Sequence, residues 1–313
     1  MKKFILKITL LVVAFELFNV MVLLIIPKNK NAYLCEYNEK IRLLESTPQP
    51  RMIFIGGSNL AFSIDSKTIG DSLGYHVVNF GLHVGIGIRY LVEDALQYIR
   101  KGDIVVLQFE YINFFIGGNG DYETYPLFMV STDWRNMRIL NAQQWTNIIR
   151  GIPLTSFHTM ERLLKYPTCG SWDTPVNNKK FTITASGFDK YGDEISHLNY
   201  PNETYTPSEK NEEKKEVKRG FINWLAKAIE QYEQAGATVI MLPPVCIKSS
   251  FYQVYNDHID KALSTVHHPY IVPPSSMALD DSCVFNSGYH MNREGRNQNT
   301  QNIIRILSFL KIP

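Results

Sequence analysis

Four short apolar runs, at residues 52–55, 76–80, 104–107 and 237–242, constrain this chain most. They are rich in β-branched and aromatic residues and show little of the apolar–polar alternation of a half-exposed strand. Turn signals bound them: Gly56-Gly57 after the first, Gly81 after the second, Lys101-Gly102-Asp103 before the third and Ala235-Gly236 before the fourth. Between them lie segments of helical period. One spans 86–100 with Leu91, Ala95, Leu96 and Ile99 on one face. Another spans 220–234 with Phe221, Trp224, Leu225 and Ile229, and a last one runs from about 297 to 310. Strands that are apolar on both sides must be covered on both sides, which alternating helices achieve. The expected fold is therefore α/β: a three-layer α/β/α, flavodoxin-like parallel sheet. In such sheets, sites form beyond the carboxyl ends of the strands.

The N-terminus has a different constraint. Lys2, Lys3 and Lys7 lead into an apolar run at 8–26, in which Glu16 and Asn19 are the strongly polar members. A helix of that length matches a hydrocarbon core of about 30 Å. No small-x-small cleavage site follows, because the run ends in Ile25-Ile26-Pro27. An uncleaved signal anchor is expected, with a removed signal peptide as the alternative. The lysine bias places residues 1–7 in the cytoplasm as a short tip and the rest of the chain outside it. Residues 27–50 form a linker or stalk with a helix over 37–45, stopped by Pro48 and Pro50. One domain then covers 51–313, with an insertion at about 114–205 that is rich in aromatics, Asn, Thr and Pro and has no sustained period.

Composition excludes several classes of function. A net charge of +2 leaves no basic footprint for nucleic acid. Cys35, Cys169, Cys246 and Cys283 fit no zinc spacing and read as small apolar residues. His267-His268 has no acidic or thiol ligand at a recognised spacing, so no metal is expected. The glycines at 81, 85 and 87 have the wrong spacing for a dinucleotide fingerprint. No cofactor is implied. The charge run 208–218 reads as a solvated helix start.

Ser58 follows a buried strand and two glycines. Glycine permits a tight strand-to-helix turn and close backbone approach, which would expose the hydroxyl. The bland alternative is a helix N-cap. A serine hydroxyl needs a neighbouring base to become a useful nucleophile, and histidine, titrating near neutrality, suits that task. His290 lies just before the last helix.

These two loops together resemble the SGNH/GDSL hydrolase superfamily, in particular its membrane-anchored, envelope-associated members. Ile53-Phe54-Ile55-Gly56-Gly57-Ser58-Asn59-Leu60 is similar to the first family block, followed by Ile64-Asp65. Val78-Asn79-Phe80-Gly81-Leu82 is similar to the second. Residues 103–111 resemble the third-block strand, and Tyr289-His290-Met291-Asn292-Arg293-Glu294-Gly295 resembles the last block. Ser186 to Asp193 is also reminiscent of these members. The resemblance implies Ser58 as nucleophile and first oxyanion donor, and His290 as general base. It implies a second oxyanion donor in the loop after Asn79, for which Gly85 is the candidate.

Two departures stand out. The family usually carries Asp three residues before its His, where this chain has Ser287. Ser287 or Asp281 is left to orient His290, or a backbone carbonyl does so in a Ser-His dyad. The family's third-block Gly-x-Asn is replaced by Gln108-Phe109-Glu110-Tyr111, with Asn113 as a possible amide donor.

The implied activity is that of an extracytoplasmic serine acyl-ester hydrolase or O-acyltransferase in a bacterial cell envelope. It would act on O-acetyl groups of an envelope or capsular polysaccharide. The expected partners are the membrane, through residues 8–26, the acylated polysaccharide or another ester, and a membrane-bound acyltransferase. The alternative is a non-catalytic accessory protein that keeps the fold and binds glycan or a membrane partner.

Overall fold

The computed structural model describes residues 1–25, 30–132, 134–165, 182–206, 216–251 and 253–310. In chain order, α1 (Lys2–Ile25) and α2 (Glu36–Ser46) precede β1 (Arg51–Gly56). Next, α3 (Ser58–Ser63) and α4 (Ser66–Leu73) lead to β2 (His76–Asn79), and α5 (Ile88–Ala95) leads to β3 (Ile104–Gln108). Then α6 (Ile112–Ile116), α7 (Thr124–Ser131) and α8 (Ala142–Lys165) intervene before α9 (Arg219–Gln234) and β4 (Thr238–Met241). The C-terminal part holds β5 (Cys246–Ile247), α10 (Gln253–Ser264), β6 (Ala278–Leu279), β7 (Val284–Ser287), β8 (His290–Met291) and α11 (Arg293–Phe309).

The molecule is mixed α/β, built on a four-stranded parallel sheet in the order β2-β1-β3-β4. Pleating sends alternate residues of each strand to opposite faces. Ile53, Ile55, Val105 and Leu107 pack with Leu91 and Val92 of α5 and with Phe221, Leu225 and Ile229 of α9. Met52, Phe54, Ile104 and Val106 pack with Ile69 of α4 and with Ile303, Ile306 and Leu307 of α11. Burial on both faces explains why these strands lack alternation.

The apolar helix α1 is long and apolar enough to cross a membrane, with a mean hydropathy of 2.6. Its far end touches the rest of the protein, where Leu23 packs against Leu127 and Ile152. Two expectations need correction. The region at 114–205 contains a 24-residue helix, α8, that the sequence period did not reveal. Gly151 and Pro153 interrupt the pattern, and Ile149 and Phe157 face outward among its apolar residues. The last helix begins at Arg293 rather than near 297, because the Asn292 side chain accepts a hydrogen bond from the Gly295 amide and caps it there. Cys246 and Cys283 are buried thiols. Cys169 and most of the 208–218 charge run lie outside the described residues.

Candidate active site

β1 ends at Gly56 and α3 starts at Ser58, so the Ser58 side chain emerges at the carboxyl edge of the sheet. The two glycines before it sit in close approach, Gly56 to backbone and Gly57 to the end of a side chain. A Cβ on Gly56 would lie 2.4 Å from the Gln108 carbonyl oxygen, and one on Gly57 would lie 2.8 Å from Glu110 Oε1. β1 lies between β2 and β3, so the connections leaving β1 and β3 diverge above their shared edge. Ser58 and Glu110 sit at that divergence, where a crevice forms in sheets of this kind.

His290 arrives from 232 residues away and places Nε2 2.8 Å from Ser58 Oγ. Its ring lies flat on Phe62, with centroids 4.1 Å apart and planes at 10°. Phe62 belongs to the same helix as Ser58, so one helix carries the hydroxyl and the platform for the imidazole. Ser63, at the end of that helix, holds the backbone on both sides of the histidine. Its Oγ donates to the Tyr289 carbonyl at 2.9 Å and accepts from the Met291 amide at 3.3 Å. Buried His197 grips the same strand, with Nε2 3.0 Å from the Met291 carbonyl oxygen.

The wider frame is tied by α11 and by Asp193. Arg296 donates to the Ile64 carbonyl at 2.7 Å and to Asp193 Oδ2 at 3.0 Å, and Asn299 donates to the Ser63 carbonyl at 2.7 Å. Asp193 also accepts from the Ser66 amide, the Ser66 hydroxyl and the Asn79 side chain. Asn79 is thus held in a structural network, and its own Oδ1 accepts from the Gly81 amide at 2.9 Å.

The group beside His290 Nδ1 is Asn286, whose Oδ1 is 2.8 Å away. The hairpin β7–β8 pairs Ser287 with His290 and is irregular between Val284 and Ser287, the stretch that carries Asn286. With a carbonyl oxygen facing it, Nδ1 carries the proton and Nε2 keeps a lone pair for Ser58. Ser287 and Asp281 are not brought to the imidazole. Ser287 Oγ accepts from the Tyr289 amide at 3.4 Å, and Asp281 Oδ1 accepts from the Ser249 amide at 2.9 Å. Burial, reinforced by His197 and His83 nearby, lowers His290 to about 3. It is therefore neutral at physiological pH.

Gly85 and Asn113 also stand apart from this chain of contacts. The Gly85 amide donates to His83 Nδ1 at 2.9 Å, and Asn113 Nδ2 donates to the Glu110 backbone carbonyl at 3.0 Å. The place next to Ser58 is taken by the Glu110 side chain. Its Oε1 lies 3.1 Å from Ser58 Oγ and accepts from the Asn59 amide at 3.2 Å. Sequence reasoning missed both Asn286 and Glu110 as site residues. The signal for Glu110 was a carboxylate three residues beyond the apolar run 104–107.

A cavity of about 460 Å³ is lined by residues that include Asn31, Tyr33, His83, Asp121, Thr124 and Thr184. Tyr33 connects it to the site. Its ring stacks on Phe188 and meets His83 edge-on, and its phenol, pushed far up by burial, lies near enough to Glu110 for the two to interact.

No family model matches the chain, and no curated protein matches it. Among solved structures, the crystal structure of the protein YxiM from Bacillus subtilis is similar with a TM-score of 0.35 and 14% identity, over 84% of this chain and 57% of that one. The chain therefore spans less than two thirds of that neighbour's length.

Proposed function

We propose that this chain is a serine acyl-ester hydrolase or O-acyltransferase of the SGNH/GDSL type. In this reading it is held to a bacterial membrane by α1, with its α/β domain outside the cytoplasm. Its substrate is an O-acetyl group on an envelope or capsular polysaccharide. The observation that supports it best is the 2.8 Å contact between Ser58 Oγ and His290 Nε2 at the carboxyl edge of the sheet. The strand order 2-1-3-4, with helices packed on both faces, agrees with a flavodoxin-like three-layer architecture.

The geometry suits acyl transfer. Ser58 Oγ attacks the acyl carbon while its proton passes to His290 Nε2. Asn286 Oδ1 holds the ring in the tautomer that leaves Nε2 free to accept. Collapse of the tetrahedral intermediate expels the sugar alkoxide, which takes the proton back from His290. Water or an acceptor hydroxyl then repeats the sequence on the acyl-enzyme. Asn286 is neutral, so it orients the imidazole without adding charge to stabilise an imidazolium. The cavity lined by Tyr33 and His83, about 460 Å³, falls in the size range of small-ligand sites.

The test is labelling of the full-length chain in detergent with a fluorophosphonate probe. The wild type is expected to label. Ser58→Ala should abolish labelling, and His290→Ala should slow it on the order of 10³-fold or more. A folded wild type that stays unlabelled would favour the accessory, non-catalytic reading.

A further inference from the structure

Hydrogen counting exposes a problem at Ser58. Its hydroxyl has one proton, yet Oγ lies within hydrogen-bond distance of two groups that ordinarily accept, His290 Nε2 at 2.8 Å and Glu110 Oε1 at 3.1 Å. If Ser58 donates to His290, as nucleophilic attack requires, the contact with Glu110 needs a proton from Glu110. We propose that Glu110 works as a neutral carboxylic acid, giving a hydrogen bond to Ser58 Oγ at rest and to the substrate's carbonyl oxygen as negative charge develops there. The proposal rests on Ser58 being the nucleophile.

The surroundings support the neutral form. Glu110 is 5% exposed, two residues beyond the buried strand β3. Burial raises its carboxyl, and the backbone amides of Asn59 and Ser58 offset part of that rise. The ionisable groups that face it are Tyr33, Tyr289 and, across Ser58, His290. Burial drives both phenols up, so they stay uncharged, and it drives the imidazole down, so it too stays uncharged. None of the three supplies the positive charge that would hold a buried carboxylate ionised.

The same placement accounts for the amide donors. The Ser58 and Asn59 amides are engaged by the Glu110 carboxyl, and Oε1 is its atom in contact with Ser58, so the donor offered to a substrate oxygen is the O–H that Oε1 carries. During attack, the bond from Oγ to the acyl carbon forms and the carbonyl π pair moves onto its oxygen. The Ser58 proton goes to His290, and the Glu110 proton stays on Glu110 while hydrogen-bonding the new oxyanion. An ionised Glu110 would repel that oxyanion, so the rate must fall as pH rises through the ionisation of Glu110.

The experiment measures the second-order rate of fluorophosphonate labelling between pH 4 and pH 10, on the full chain in detergent. Glu110→Ala should label about 10²–10³-fold more slowly than wild type, the cost of one lost oxyanion donor. Glu110→Gln keeps a donor of the same shape. It should label at least about tenfold faster than the alanine variant and lose the alkaline fall seen in wild type. Should the alanine variant fail to fold, the glutamine and wild-type pH profiles still decide the matter, and superposable profiles overturn the proposal. It is equally overturned if Glu110→Ala labels as fast as wild type or faster, which would make Glu110 a plug. Labelling that persists in Ser58→Ala would instead defeat the nucleophile assignment itself.

Discussion

The two ends of the β1–β3 pair carry buried carboxylates that are treated in opposite ways. At the amino end, Asp103 is met by Arg51 in a two-pronged pair, with Nε 2.8 Å from Oδ1 and Nη2 2.7 Å from Oδ2, both side chains fully buried. Gln49 and the Arg100 amide donate to the same carboxylate. At the carboxyl end, Glu110 is also buried but is met by the Ser58 hydroxyl and the Ser58 and Asn59 amides, with no guanidinium on it among the described residues. The first arrangement satisfies a charge, and the second discourages one. On the proposed reading, a carboxyl held neutral beside Ser58 has a chemical use that a fully paired one lacks.

This contrast can be broken at either end. The largest effect is expected from Arg51→Met, which leaves Asp103 buried without its partner. Chemical denaturation should show a loss of about 3–5 kcal/mol, while the folded fraction still labels at Ser58 at the wild-type rate. Slower labelling per folded molecule would mean that the two ends are not separable.

A smaller loss is expected at the carboxyl end from Ser63→Ala. It removes the hydroxyl that bonds the backbone on both sides of His290. The stability cost should be about 1–3 kcal/mol. Labelling should slow by up to about 10²-fold, because small misplacement of a base is costly. Unchanged labelling would show that His197 and Phe62 are enough to hold the ring.

The smallest effect depends on pH. The Glu110 carboxyl is raised in the folded state, so the folded chain binds its proton more tightly than the unfolded chain does. The associated stability is present below the unfolded value, about 4.3, and is lost as pH rises through the folded value. Glu110→Gln carries no such loss. Its stability relative to wild type should therefore climb with pH across that window, by no more than about 1.4 kcal/mol per pH unit. A flat difference would mean that Glu110 is ionised in the folded protein.

The same two ends show what could be read from the sequence. The strands were legible because Met52 to Ile55 and Ile104 to Leu107 are buried on both faces, which leaves continuous apolar runs. Ser58 and His290 were legible because each sits in a short motif at a strand end or helix start. Asn286 was not, because it lies in an irregular stretch of the β7–β8 hairpin that no local pattern encodes. Glu110 looked like an ordinary charge after a strand, since its meaning comes from contacts 52 residues away in the chain. Asp193 ended a segment already reminiscent of the family, but its role was not legible, because its partners Ser66, Asn79 and Arg296 come from three separate elements. α8 was obscured by the glycine and proline within it.

The most direct test of the account is to find where the probe attaches. Wild-type chain treated with a fluorophosphonate at neutral pH, digested and analysed by tandem mass spectrometry, should carry a single adduct on the Ser58 hydroxyl, absent after prior heat unfolding. An adduct on another serine, or none on protein shown to be folded, would contradict the proposal that Ser58 and His290 form a reactive pair.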